Sequence, residues 1–220
     1  MYAELHTLSN FSFLRGASQP EELIAQAKAL NYSALALTDE CSLAGVVRAH
    51  VAAKELGLPL IIGTELKCLD ECGGRKPEPA PAGRPQGEGQ DGPSQLKIVV
   101  LATDRASYGA MSRLISKARR ATRKGCYALA RIDLEDALAG CLIIWLPRAD
   151  KAALQRQEAD GRWLRDRFAG RLWIGVELLT GGHDTRRLEL LETLGQELEL
   201  PRVAAGDVHM HRRFRNNARD

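Results

Sequence analysis

The chain of 220 residues has no long apolar run, and its N-terminus has no basic region followed by an apolar core. A helix needs about 20 mostly apolar residues to cross a bilayer, and a secretory leader needs both of those N-terminal features. We therefore expect a cytoplasmic protein with no membrane partner. Five cysteines, an odd number, do not indicate a disulfide framework in a chain of this length.

Two common catalytic loops are also missing. No stretch fits a glycine-rich phosphate loop or a dinucleotide-binding turn, and there is no Gly-x-Ser-x-Gly nucleophile elbow. The formal net charge of +3 is too small to indicate a nucleic-acid partner by itself. Basic residues are nevertheless concentrated at 116–125 and 209–219, which are either solvated helix faces or surfaces that contact phosphate groups.

The sequence does contain a repeated alternation of short aliphatic runs and segments with helical apolar spacing. The runs predict seven strands, within residues 2–6, 33–40, 58–66, 96–104, 141–147, 172–179 and 201–209. The spacing predicts helices within residues 20–31, 44–57, 104–122 and 185–198. This alternation predicts a parallel sheet that is closed or nearly closed into one α/β barrel domain over residues 1–220.

One segment, 70–95, interrupts the alternation. It is dense in glycine, proline and polar residues and has almost no aliphatic side chains. Such a composition cannot bury enough apolar surface to offset the entropy cost of ordering. Strand patterns resume directly after it, so we expect a disordered loop inserted within the one domain.

Potential metal ligands follow several of the predicted strands. Functional side chains of an α/β barrel gather at the carboxyl ends of its strands. The residues at those ends are His6, Asp39, Glu40, Glu65, Asp207 and His209. A single Asp there is more often a helix cap, but His and carboxylates converging on one rim indicate a present or former metal site.

Five blocks carry a resemblance to a known family. They are "ELHTLSNFSFLRGAS", "ALALTDECSLAGVVRAH", "GTEL", "IVVLATDRASYGAMSRLIS" and "VAAGDVHMH". The chain resembles the PHP (polymerase and histidinol phosphatase) domain of bacterial C-family DNA polymerases, most closely the error-prone, damage-tolerance type. The resemblance implies a distorted seven-stranded (βα) TIM-like barrel of the PHP type, whose rim holds up to three metal ions for phosphoester hydrolysis, including 3′ to 5′ exonuclease action, where the ligands are intact.

Several of the family's ligand positions are occupied by other residues in this sequence. Leu8 replaces the second histidine of a His-x-His motif, and Arg15 replaces an acidic residue. Glu40 stands where the family has a histidine, Lys97 replaces another histidine, and Pro147 aligns with a cysteine or histidine. The resemblance therefore implies a degenerate site.

The ligands that remain by this comparison are His6, Asp39, Glu65, Asp207 and His209. Of these, His6, Glu65 and Asp207 form the one pocket that keeps three ligands, enough for one zinc or manganese ion. A cation about 4 Å from a carboxylate contributes about 4 kcal/mol at an effective dielectric constant near 20, before desolvation is subtracted. We hypothesise that Arg15 and Lys97 replace the lost metals and neutralise Asp39, Glu40, Glu65 and Asp207.

The leading interpretation is a catalytically inactive PHP domain that binds no cofactor and supports an error-prone, translesion DNA polymerase. The alternative is a residual metal-dependent phosphoesterase or 3′ to 5′ exonuclease. The resemblance places the polymerase active site in domains beyond residue 220. It implies those domains and DNA as partners, together with a sliding clamp and accessory mutagenesis proteins, and we take 116–125 as the candidate DNA-facing surface.

Overall fold

The computed structural model describes residues 2–69, 95–135, 137–148, 154–180, 182 and 184–212. The elements, in chain order, are β1 (Ala3–Thr7), α1 (Pro20–Ala29), β2 (Ala34–Leu37), α2 (Val46–Leu56), β3 (Leu60–Leu69), β4 (Gln95–Leu101), α3 (Arg105–Arg120), a 3-10 helix (Arg131–Leu134), β5 (Leu142–Trp145), α4 (Leu154–Arg167), β6 (Leu172–Glu177), α5 (Asp184–Leu198) and β7 (Arg202–Ala205). The segment predicted to be a disordered loop at 70–95 lies outside the described residues except for Gln95, which begins β4.

The seven strands form one sheet in the order of the chain, β1 to β7. A parallel bridge between Thr7 and Val208, with the Leu8 amide donating to the Val208 carbonyl, brings the two edges together. The predicted seven-stranded barrel is therefore confirmed. The expectation of an all-parallel sheet is wrong for β4, which runs antiparallel to both β3 and β5.

The antiparallel β3–β4 pair determines which side chains reach the barrel rim. Its register sets Glu65 opposite Val99 and Lys67 opposite Lys97. Residues two apart in a strand share a face, so Glu65, Lys67 and Lys97 lie on the same side of the pair. The opposite face carries buried aliphatic residues that pack in the main core with α3.

Local sequence signals explain where the predicted helices begin and end. Pro20 occupies the first turn of α1, where its missing N–H is not needed. Gly57 follows α2 in the left-handed conformation, with φ of 62°. The Asp104 carboxylate accepts the Ser107 N–H at the start of α3. None of the helices in the described ranges is both long and apolar enough to cross a membrane.

Candidate functional site

His6 lies near the end of β1, where its imidazole is fully buried between carboxylates. Nδ1 is 2.6 Å from Glu177 Oε1 and 3.4 Å from Asp207 Oδ1, and Nε2 is 2.9 Å from Glu65 Oε2. Burial alone lowers the pKa of His6, but the hydrogen bonds to Glu177 and Glu65 outweigh it and raise the pKa to about 9. At neutral pH the ring is therefore an imidazolium that donates a hydrogen bond from each nitrogen.

The buried carboxylate of Glu65 contacts two further cations. Arg15 Nη1 donates to Oε1 at 2.5 Å and Nη2 to Oε2 at 3.0 Å, while Lys97 Nζ lies 3.2 Å from Oε2. Burial favours the neutral acid, but the hydrogen bonds from His6 and Arg15, with the charge of Lys97, hold the pKa of Glu65 well below its usual range. Burial also opposes the charges of Arg15 and Lys97, yet the neighbouring carboxylates raise the pKa of both.

Glu40 extends this network to one side. Its Oε2 accepts Arg15 Nη1 at 2.5 Å, and its Oε1 lies 3.1 Å from Lys67 Nζ and accepts the Tyr127 hydroxyl at 2.9 Å. Burial would raise the pKa of Glu40, but Lys67 and Arg15 lower it below the usual value. Lys67 also lies 3.6 Å from Glu65 Oε1 and was not predicted as a site residue.

Asp39 is held by the loop after β1. Its carboxylate accepts the Ser9 N–H at 2.8 Å and the hydroxyls of Ser9 and Ser12, each at 2.7 Å. Burial raises the pKa of Asp39 despite these hydrogen bonds. The same loop carries Arg15, so Asp39 orients the segment from which that guanidinium reaches Glu40 and Glu65.

Glu177 was missed by the sequence analysis, although it ends β6 as the strand-end rule requires. One ligand atom each from His6, Glu177 and Asp207 lies within 4.8 Å of the others. This trio differs by one member from His6, Glu65 and Asp207, the pocket expected from the sequence. Asp207 Oδ1 also lies 3.0 Å from His209 Nε2. Burial alone would raise the pKa of Asp207. The hydrogen bond from His209 and the charges of His6 and Lys97 outweigh burial and lower the pKa.

Other positions lie outside this network. Leu8 is fully buried, and Pro147 is also buried. His211, which follows His209 by two residues, instead contacts the Ser18 hydroxyl through Nδ1 at 2.8 Å.

The ionised side chains around His6 and Glu65 form one network of ion pairs and hydrogen bonds at the barrel rim. We call this network the rim cluster; its members are His6, Arg15, Glu40, Glu65, Lys67, Lys97, Glu177 and Asp207.

The model of the PHP domain family matches residues 4–164 of the chain. The chain belongs to the PHP domain family. The chain is also similar to error-prone DNA polymerases: 50% identical to that of Dechloromonas aromatica (strain RCB), 48% to that of Methylococcus capsulatus and 47% to that of Pseudomonas aeruginosa. Each match covers 100% of this chain but only 18 or 19% of the relative.

Two solved structures share the fold of this chain at low sequence identity. A Bifidobacterium adolescentis protein, described as a candidate metal-dependent phosphoesterase, superposes with a TM-score of 0.62 at 17% identity, covering 95% of this chain and 88% of its own. A Chromobacterium violaceum amidohydrolase, with bound sulfate and no metal, gives 0.61 at 18% identity, covering 96% and 88%. At these identities the comparison shows the fold alone.

The PHP fold raises the question of whether the rim cluster fits metal ions. A histidine binds a metal through a neutral ring nitrogen, but both nitrogens of His6 donate hydrogen bonds to carboxylates. The four carboxylates of the cluster face four cationic groups, and Arg187 lies 3.9 Å from Glu177 outside it. Several divalent ions would have to displace these cations, so the residues present do not fit a multi-ion site.

Proposed function

We propose that this PHP domain is a structural, non-hydrolytic part of an error-prone DNA polymerase. In its rim cluster, protein cations take the place of metal ions. The proposal is supported above all by the contacts of Glu65, whose carboxylate lies 2.5 to 3.2 Å from cationic nitrogens of His6, Arg15 and Lys97. The similarity to error-prone polymerases over the whole chain supports the choice of parent protein.

Such a cluster has no group prepared for phosphoester hydrolysis. Metal-assisted hydrolysis needs a water activated by an ion, and it often uses a second ion to stabilise the leaving oxygen. Here the carboxylates that would hold those ions accept hydrogen bonds from side-chain cations, and His6 has no free lone pair in its protonated form. The cluster instead links β1, β3, β4 and β6 through their side chains and thereby stabilises the barrel rim.

The metal content of the purified chain tests this proposal. We expect less than about one bound ion per chain by elemental analysis, because the four cationic groups already neutralise the four carboxylates that a divalent ion would need. EDTA should leave the thermal midpoint unchanged, and a 3′-labelled single strand should remain intact with or without manganese. Two or more bound ions, together with digestion that EDTA abolishes, would overturn the proposal.

A ligand-restoring variant sharpens this test. Lys97→His removes one cation from Glu65 and supplies an imidazole, so it should increase zinc binding over the unsubstituted chain. Lys54→His is the matched control, because Lys54 is exposed on α2, away from the rim cluster, and should add no tight site. Equal zinc binding by the two variants would show that Lys97 does not occupy a former ligand position.

One observation favours a second function, a residual metal-dependent phosphoesterase or exonuclease. His6, Glu177 and Asp207 could together hold one ion once His6 is deprotonated. In that case zinc or manganese would bind with a stoichiometry of one and support EDTA-sensitive hydrolysis. The metal analysis and the labelled strand therefore separate the two functions.

A further inference from the structure

The helix α3 and the turn that follows it carry an unusual concentration of positive charge. Residues 105–132 contain eight lysines and arginines and no aspartate or glutamate. The whole chain has a net charge of only +3, so the residues outside this segment are, taken together, net negative. None of this charge takes part in the rim cluster, so the function proposed above does not explain it.

The helical spacing puts part of this charge on one exposed face. The side of α3 that faces the core carries Met111, Leu114 and Ala118. The other side exposes Arg113, Lys117 and Arg120, spaced by four and three residues, which places them in one row along the helix. We call these three residues the basic row.

The basic row is accessible to a ligand. Ser112 and Ser116 lie beside it, and together these side chains line a shallow, open depression. Lys117 Nζ contacts Asp133 Oδ1 at 2.6 Å. The lysine side chain is two-thirds exposed, and an exposed ion pair of this kind contributes little to stability, so it does not prevent Lys117 from contacting a ligand. Within the described part of the chain, Arg113 and Arg120 have no ion-pair partner.

A neighbouring arginine fixes the helix to the rim. Arg119 donates to the main-chain carbonyls of Cys41 at 3.1 Å and Glu40 at 3.2 Å. Its guanidinium also stacks 5.4 Å from the ring centre of Tyr127, whose hydroxyl donates to the Glu40 carboxylate. The basic row is thus presented from a helix anchored at its C-terminal end.

We propose that the basic row is a binding surface for the sugar-phosphate backbone of DNA. A row of cations with serine hydroxyls beside it matches regularly spaced phosphates, and it offers no shaped pocket that would read base edges. The contact is therefore independent of sequence and strongly dependent on salt. This inference rests on the proposed polymerase context only for the choice of DNA over another polyanion, and it does not depend on the metal content of the rim cluster.

Fluorescence anisotropy of the whole chain with labelled DNA tests the surface. The variant Arg113→Gln/Lys117→Gln/Arg120→Gln should bind more weakly at low salt, and the slope of log K against log salt should fall by about 2 to 3 for duplex DNA. Between about 50 and 200 mM salt, the unsubstituted chain should then lose about 40-fold more affinity than the variant. Single-stranded DNA should show a somewhat smaller change in slope.

The control variant makes the same change in net charge elsewhere. Lys54→Gln/Arg156→Gln/Arg186→Gln replaces three exposed cations on α2, α4 and α5 and should keep the original slope. If both variants lost the same DNA affinity and the same salt dependence, the effect would come from net charge alone and the proposed surface would be wrong. Absence of DNA binding by the unsubstituted chain would also overturn the proposal. Competition by polyglutamate as effective as competition by DNA would overturn DNA as the partner. Matching thermal unfolding curves verify that each variant is folded.

Discussion

Replacing Glu65 by glutamine is expected to lower the free energy of unfolding by about 3 to 5 kcal/mol. The Glu65 carboxylate is the common acceptor for His6, Arg15 and Lys97. Glutamine has nearly the same shape but no charge, so three cationic groups would face one another across a buried position without their central anion. Urea unfolding at neutral pH, with EDTA present throughout, measures the loss without any contribution from metal.

Glu55→Gln is the matched control for this substitution. Glu55 lies exposed on α2, so its replacement should change stability by less than about 0.5 kcal/mol. A Glu65→Gln loss no larger than that of the control would show that the cations do not depend on this carboxylate. If zinc, added in a separate series without EDTA, stabilised the original chain but not Glu65→Gln, Glu65 would be acting as a metal ligand.

The stability of the chain should fall as the pH rises from about 6.5 to about 9. The pKa of His6 is about 9 in the folded chain and 6.5 in the reference state. The stabilisation from the protonated ring is therefore complete below pH 6.5 and is lost as the pH passes the folded value, by about 3 kcal/mol in all. Below about pH 4.5, stability should also fall, because Glu40 and Glu65 have lowered pKa values.

Urea unfolding at a series of pH values tests this profile. His6→Gln should flatten the alkaline limb, since the group that releases the proton is removed, whereas exposed His50→Gln should leave it unchanged. A stability that rises between pH 7 and 9 would mean that His6 is neutral in the folded chain. The assignment of an imidazolium between two carboxylates would then be wrong.

The alternation of apolar runs and helical spacing predicted the seven-stranded barrel, and the position of residues at strand ends predicted part of the rim cluster. It identified His6, Glu40, Glu65 and Asp207, because parallel strands bring their carboxyl ends to one rim. Glu177 follows the same rule but was not predicted, although it lies near the end of the predicted strand "LWIGVELL". Lys97 was recognised by its alignment with a lost ligand, whereas Lys67 had no such signal.

The direction of β4 could not be predicted, since a buried strand has the same apolar pattern whichever way it runs. Because β4 runs antiparallel to β3, Lys67 is paired with Lys97 on the neighbouring strand. The helix α4 was also not predicted, because its sequence "LQRQEADGRWLRDR" is dominated by charged residues. Its position depends on tertiary packing more than on apolar periodicity.

The antiparallel β3–β4 pair also gives the barrel a position at which the chain can vary in length. The register pairs Leu69 with Gln95, so the ends of the intervening 70–94 are joined by the ladder itself. When the ends of a connection are fixed in this way, doubling its length costs only about 0.6 kcal/mol of closure entropy. A change in the length of this connection is therefore expected to leave the paired positions of Lys67 and Lys97 unchanged.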